Sequence, residues 1–232
     1  MHRNLFLLFV AAQLLVANSF AENKPTPTAP VAEEPSEVSV IGTLEGGFQV
    51  FPVAQVSNSL YKQKKRVFSQ PGLIVRGALE AKQGTFVWGD DEEGKRQGHW
   101  LSEGGGEVES FGDNIFVVSL PAGLSRVFWV GPKGEMADLL PYSNTAANVA
   151  VNGAKLGAFT HISGGEQIKT DAGKTAYQYS FKLHSVNLNT GKVTHYRKAY
   201  TALSSTLKLK WVRANLLQVI GNGVDPVRVT IR

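Results

Sequence analysis

Five cations stand at alternating positions along the C-terminal third of the chain: Lys182, Lys208, Lys210, Arg228 and Arg232. Their neighbours are apolar, as in Leu207-Lys208-Leu209-Lys210-Trp211 and Val227-Arg228-Val229-Thr230-Ile231. Successive side chains of a β-strand point to opposite faces, so these cations would leave a wet face while the apolar set packs beneath. His184 shares the wet side with Lys182. Like charges gathered on one face repel by roughly a few tenths of a kcal/mol per exposed pair. An anion relieves that repulsion by pairing and screening. The chemistry expected is therefore anion recognition by Lys182, His184, Lys208, Lys210, Arg228 and Arg232. The partner would be an anionic envelope polymer, lipid headgroups in a peripheral membrane contact, or an acidic protein. The competing reading is a soluble face whose lysines keep edge strands from aggregating.

Other residue sets give weaker signals. Beyond the first residues the histidines are His99, His161, His184 and His195, and none has the H-E-x-x-H or H-x-x-x-H spacing of a helical metal site. His184 and His195 flank the turn Asn189 to Gly191, which would let a two-histidine zinc pair approach across strands, but no metal is assigned. Asp90 to Glu93 lack the D-x-D-x-D-G spacing of a calcium loop and read as a solvated hairpin tip. Lys62, Lys64, Lys65 and Arg66 read as a charged surface segment. Trp88, Trp129 and Trp211 lie in apolar runs and read as core, whereas Trp100 is the candidate exposed aromatic for stacking on a sugar ring. Gly173-Lys174-Thr175 ends like a P-loop, yet Ile168 occupies the first glycine position. The absence of cysteine excludes thiol nucleophiles, C-x-x-C redox pairs and thiolate metal sites. No catalytic residue and no cofactor is assigned.

The elements that must hold these residues are short β-branched and aromatic runs separated by glycine, asparagine and aspartate. Residues 1–21 carry Arg3, an apolar stretch from Leu5 to Val16, and small residues Ser19 and Ala21. That is the layout of a secretory signal peptide cut after Ala21. Residues 22–36 hold four prolines and read as a disordered linker. The remainder divides into an N-terminal β module (37–140) and a C-terminal basic β module (146–232), with Pro141 to Thr145 as the break. One larger sandwich is the alternative. The fold class expected is all-β, in antiparallel sandwich-like modules. One helix is expected over Val56 to Phe68, and the C-terminal strands are expected to share one sheet with one dry and one wet face.

Charge follows the same division. Residues 43–140 carry ten Lys or Arg against twelve Asp or Glu, while residues 141–232 carry twelve against three, Glu166, Asp171 and Asp225. The basic balance of the chain therefore sits in its C-terminal part. RNP-type aromatic motifs are absent, and with the signal peptide this argues against nucleic acid as a partner.

The stretch Tyr177 to Tyr200, YQYSFKLHSVNLNTGKVTHYRKAY, resembles the hairpin of exported activators of penicillin-binding proteins and of curli-secretion lipoproteins. It shares their amphipathic strand, T-G-K-V turn and return strand. The chain departs from them in lacking a lipidated cysteine and the helices of an α/β fold. Gln63 to Trp88 is similar in texture to the early region of periplasmic lipoprotein carriers. Both resemblances imply a Gram-negative envelope location. The expectation is an exported, periplasmic or secreted, non-catalytic binding or assembly protein. An enzyme acting on envelope polysaccharide, or a structural subunit of a secretion or pilus apparatus, is the alternative.

Overall fold

The computed structural model describes residues 42–54, 57–140, 147–222 and 224–231. The leader, the proline-rich linker, the break at Pro141 to Thr145 and Arg232 lie outside the described residues. Among the described residues, apart from two 3₁₀ turns, the regular elements are all strands, and they pair antiparallel in five sheets. The first sheet is β1 (Gly42–Leu44), β2 (Phe48–Ala54), β3 (Ser57–Lys62) and β4 (Lys65–Ser69). The second is β5 (Leu73–Ala81), β6 (Gly84–Asp91) and β7 (Arg96–Leu101). The third is β8 (Glu107–Phe111), β9 (Ile115–Leu120), β10 (Leu124–Val130) and β11 (Met136–Asp138). The fourth is β12 (Ala147–Asn152), β13 (Leu156–Lys169), β14 (Thr175–Asn187) and β15 (Val193–Ala202). The fifth is β16 (Leu207–Arg213), β17 (Leu216–Gly221) and β18 (Val224–Thr230). Each sheet is a meander whose strands neighbour one another in chain order.

The sheets pack face to face in the same order, with an apolar layer between each pair. Phe48, Val50 and Leu60 of the first sheet meet Leu73, Val75 and Val87 of the second. Phe86, Trp88 and Trp100 of the second meet Phe116, Val118 and Phe128 of the third. Ile115, Val117 and Trp129 of the third meet Phe159 and Val186 of the fourth. Phe181, Leu183 and Tyr200 of the fourth meet Leu207, Leu217 and Val219 of the fifth. The sequence texture follows from this layering. Ile115-Phe116-Val117-Val118 is apolar throughout because its even and odd residues feed different cores. Strands covered on both faces read as continuous hydrophobic runs, and strands covered on one face alternate. Each fully buried Phe or Leu contributes about 1.5–3 kcal/mol.

Polar ties reinforce the layers. Trp129 Nε1 donates to the Leu188 carbonyl at 2.8 Å, fastening the third sheet to the fourth. Arg126 on β10 is buried between the second and third sheets, where it pairs with Asp138 on β11 and donates to the Lys82 carbonyl in the β5–β6 turn.

Three sequence expectations change. Val56 to Phe68 is no helix: residues 57–62 and 65–69 form the β3–β4 hairpin. Its two turn residues, Gln63 (φ 51°) and Lys64 (φ 65°), are both left-handed, as a two-residue type I′ turn requires. Trp100 is 8 % exposed and packs near Phe128, with ring centroids 5.9 Å apart, so it belongs to the core. The C-terminal strands do not share one sheet. β14 lies in the fourth sheet, whose Leu183, His184, Ser185 and Val186 are all buried because both its faces are covered there. β16 and β18 lie in the fifth.

Candidate functional site

The predicted cations divide between two surfaces. The fifth sheet turns Leu207, Leu209, Trp211, Leu217, Val219, Val227 and Val229 inward against the fourth. Alternation then sends Lys208, Lys210 and Arg228 outward, and all three are exposed. Lys210 faces Gln218 across β16–β17, and Gln218 faces Arg228 across β17–β18, so the two charges bracket a neutral amide in one cross-strand row. With strands about 4.8 Å apart, their backbones stand about 10 Å from each other. Lys208 is one pleat further along β16, opposite Ile220. Among the described residues none of these three cations has a carboxylate within salt-bridge distance. The one acid in the three strands is Asp225.

Lys182 and His184 belong elsewhere. They lie on β14, on the face of the fourth sheet that carries Phe159 and Val186 toward the third sheet. The fifth sheet covers the opposite face, so these two residues do not join Lys208, Lys210 and Arg228 in one surface. His184 is 5 % exposed and therefore makes no open anion contact. Burial, reinforced by the neighbouring charges of His161, His195 and Lys182, pushes its pKa down to about 3.

His184 instead sits in the middle of a row of three imidazoles drawn from three adjacent strands. Its Nδ1 lies 2.6 Å from His195 Nδ1 on β15, directly across the ladder. Its Nε2 lies 3.0 Å from His161 Nδ1 on β13. The His184 ring stacks on Phe159 at 4.9 Å and on His161 at 5.0 Å, and meets His195 edge-on at 4.8 Å. Lys182 is directly opposite His161 in the register. Burial also lowers His161, with Lys182 and His195 adding to the effect. His184 offers opposite ring nitrogens to its two neighbours, so the three imidazoles do not converge on one point. Among the described residues no set of three His, Asp or Glu is arranged to hold a metal ion.

The position of His184 and His195 on either side of the Asn189–Gly191 turn carried the signal for their contact. The part played by His161 had none, because it depends on the β13–β14 register and on the irregularity between Ile162 and Gly164.

The acidic stretch forms the β6–β7 hairpin tip. Asp91 Oδ1 accepts from the backbone N–H groups of Glu93 and Lys95, and Oδ2 accepts from Gln97 Nε2. The Gln97 bond, followed by the backbone bonds, holds Asp91 below the usual carboxylate range. Asp90 pairs with Arg76 at 2.8 Å. These two acids are thus engaged in bonds of their own sheet. In the basic run, Lys62 pairs with Glu80 and lies over the Phe48 ring, while Lys64, Lys65 and Arg66 are exposed around the β3–β4 turn.

No protein-family model and no curated protein matches this chain, so its chemistry is read from its own residues.

Proposed function

We propose that this protein is an exported, non-catalytic binding or assembly component of a cell envelope, which engages an anionic surface through the outer face of its fifth sheet. The observation that carries the reading is the exposed set Lys208, Lys210 and Arg228 on a three-stranded sheet, without a carboxylate partner among the described residues. The sheet fixes the backbone under these cations before docking, so the ordering cost falls on their side chains. The opposite face, packed on the fourth sheet, fixes their spacing. The exported location rests on the leader pattern of residues 1–21, and the basic surplus of residues 141–232 sets the sign of the partner.

Cosedimentation with vesicles tests the reading. Vesicles rich in anionic phospholipid should retain the protein at low salt and release it as ionic strength rises, while neutral vesicles should not retain it. Each surface cation contributes about 1 kcal/mol to such binding. Lys208→Gln/Lys210→Gln/Arg228→Gln should therefore weaken it by about 3 kcal/mol, on the order of 100-fold. Equal retention of the triple variant would remove the fifth sheet from the account.

A further inference from the structure

The histidine row lies on a different sheet from the proposed docking face and has its own chemistry. Each N···N contact requires exactly one shared proton, because an imidazole nitrogen either donates or accepts. A neutral His184 has one N–H, so it donates to one neighbour and accepts from the other. The neighbour that donates does so through Nδ1, which leaves its outward Nε2 bare. The row can therefore take up one proton at that Nε2 with both hydrogen bonds intact. A second proton would place two hydrogens in one contact and break it.

The single added charge is not fixed in place. Shifting both bridging protons in the same direction carries it from one flanking histidine to the other, and His184 stays neutral throughout. The charges that act on His184 are those of His161, His195 and Lys182. Those acting on His161 are Lys182 and His195. No carboxylate is among them, and Lys182 has no acidic partner within salt-bridge distance among the described residues. Lys182 and His195 are both exposed. At acidic pH the row thus presents an imidazolium beside an ammonium, with no ion-paired carboxylate among the described residues. Glu107 and Glu109 lie on the same face of β8 as Phe111, and neither is among the charges acting on His161 or His184.

We propose that His161, His184, His195 and Lys182 form an acid-gated site for a phosphoryl oxyanion. The anion lies between Lys182 Nζ and the outward nitrogen of His161, the residues directly opposite each other on β13 and β14. It draws the mobile charge to the His161 end, while His184 relays the protons and His195 gives the charge up. A doubly charged oxyanion matches the two positive charges. At neutral pH His161 and His184, both held below the usual imidazole range, carry no charge, and Lys182 alone holds such an anion weakly.

The test uses the full chain and inorganic pyrophosphate, followed by nitrogen-15 resonances of the histidine rings at pH 5.0 and pH 7.5. Saturable binding should be at least tenfold tighter at pH 5.0. By linkage, pyrophosphate should move the first protonation of the row to higher pH. His161→Gln should abolish the pH-dependent part, and Lys182→Gln should weaken binding at both pH values. The Lys182 variant changes an exposed side chain, which keeps the test independent of folding defects. Lys208→Gln/Lys210→Gln/Arg228→Gln should leave pyrophosphate binding unchanged, so this site and the fifth-sheet surface fail or survive separately. A parallel arm with vesicles of an anionic phospholipid distinguishes a lipid phosphate from a soluble one: loss of binding in the Lys182 variant in only one arm identifies the source. Binding that is independent of pH, or unchanged in both variants, overturns the proposal. So does a saturable zinc complex of His184 and His195 at pH 7.5.

Discussion

Replacing Asp138 by leucine should destabilise the protein far more than replacing it by asparagine. Arg126 is 5 % exposed, and its Nε donates to Asp138 Oδ2 at 3.0 Å. Its Nη2 donates to the same oxygen and its Nη1 to the Lys82 carbonyl. The guanidinium also lies 6.0 Å from the Trp100 ring and 5.9 Å from that of Phe128. Two influences compete at Asp138: burial raises its pKa, the Arg126 hydrogen bond and charge lower it, and burial wins. Asp138→Asn removes the counter-charge but keeps an oxygen that accepts from Arg126, so it should cost about 1–3 kcal/mol less than the leucine variant. Asp138→Leu removes that oxygen as well and leaves a buried guanidinium without a counter-charge, which costs about 3–5 kcal/mol. For a domain of this size that lowers Tm by about 6–20 °C. Arg126→Met/Asp138→Leu should recover most of the loss, because the apolar pair strands no charge. Urea unfolding followed by circular dichroism measures all three. A leucine variant within about 1 kcal/mol of the parent, or a double variant no better than the single, refutes the reasoning. The sign of the pH dependence follows as well. A carboxyl whose folded pKa lies above its unfolded value binds more protons when folded, so its contribution to stability falls as pH rises through that window. Asp138→Asn should lack this component.

Four further outcomes are expected. Gly98→Ala should destabilise by about 1–3 kcal/mol, since a Cβ there would stand 2.7 Å from the Phe116 ring and 3.0 Å from that of Phe86, between the second and third sheets; chemical denaturation reads this directly. Trp129→Phe strips the Leu188 carbonyl of its indole donor and should cost about 1–3 kcal/mol in the same assay. Lys64→Gly should raise Tm slightly, because it relieves a left-handed non-glycine residue worth about 1 kcal/mol. His184, with a folded pKa near 3 against about 6.5 when unfolded, favours the unfolded state as acid is added. Stability should fall as pH drops through that interval, and His184→Gln should flatten the acid limb of a Tm-against-pH curve.

The strands were legible wherever apolar residues alternated or ran together, and the antiparallel all-β class follows from them. What the sequence concealed was which faces are covered. The run Leu183-His184-Ser185-Val186 looks like an ordinary amphipathic strand, yet all four residues are buried because sheets pack on both sides of it. That hidden second cover is why Lys182 and His184 separate from Lys208, Lys210 and Arg228. The β3–β4 hairpin was concealed for a local reason. A type I′ turn normally announces itself with Asn-Gly, and here Gln63-Lys64 adopts the same conformation without the usual residues. Trp100 is buried although its glycine-rich surroundings have the composition of an open loop. Those glycines admit the ring instead: a Cβ on Gly84 would fall 2.5 Å from it and one on Gly106 2.7 Å.

Because every sheet is a local meander, and the principal contacts between sheets join neighbours in chain order, few segments must wait for a distant partner. Synthesis from the N-terminus would deliver each meander just after the surface it completes, so assembly can proceed by accretion, with short loops to close at every step. Cooperativity in such an array is passed from one layer to the next. Truncation before Leu207 would thus leave the first four layers assembled, with the greasy underside of the fourth, Phe181 and Leu183 among it, laid bare as a self-association surface.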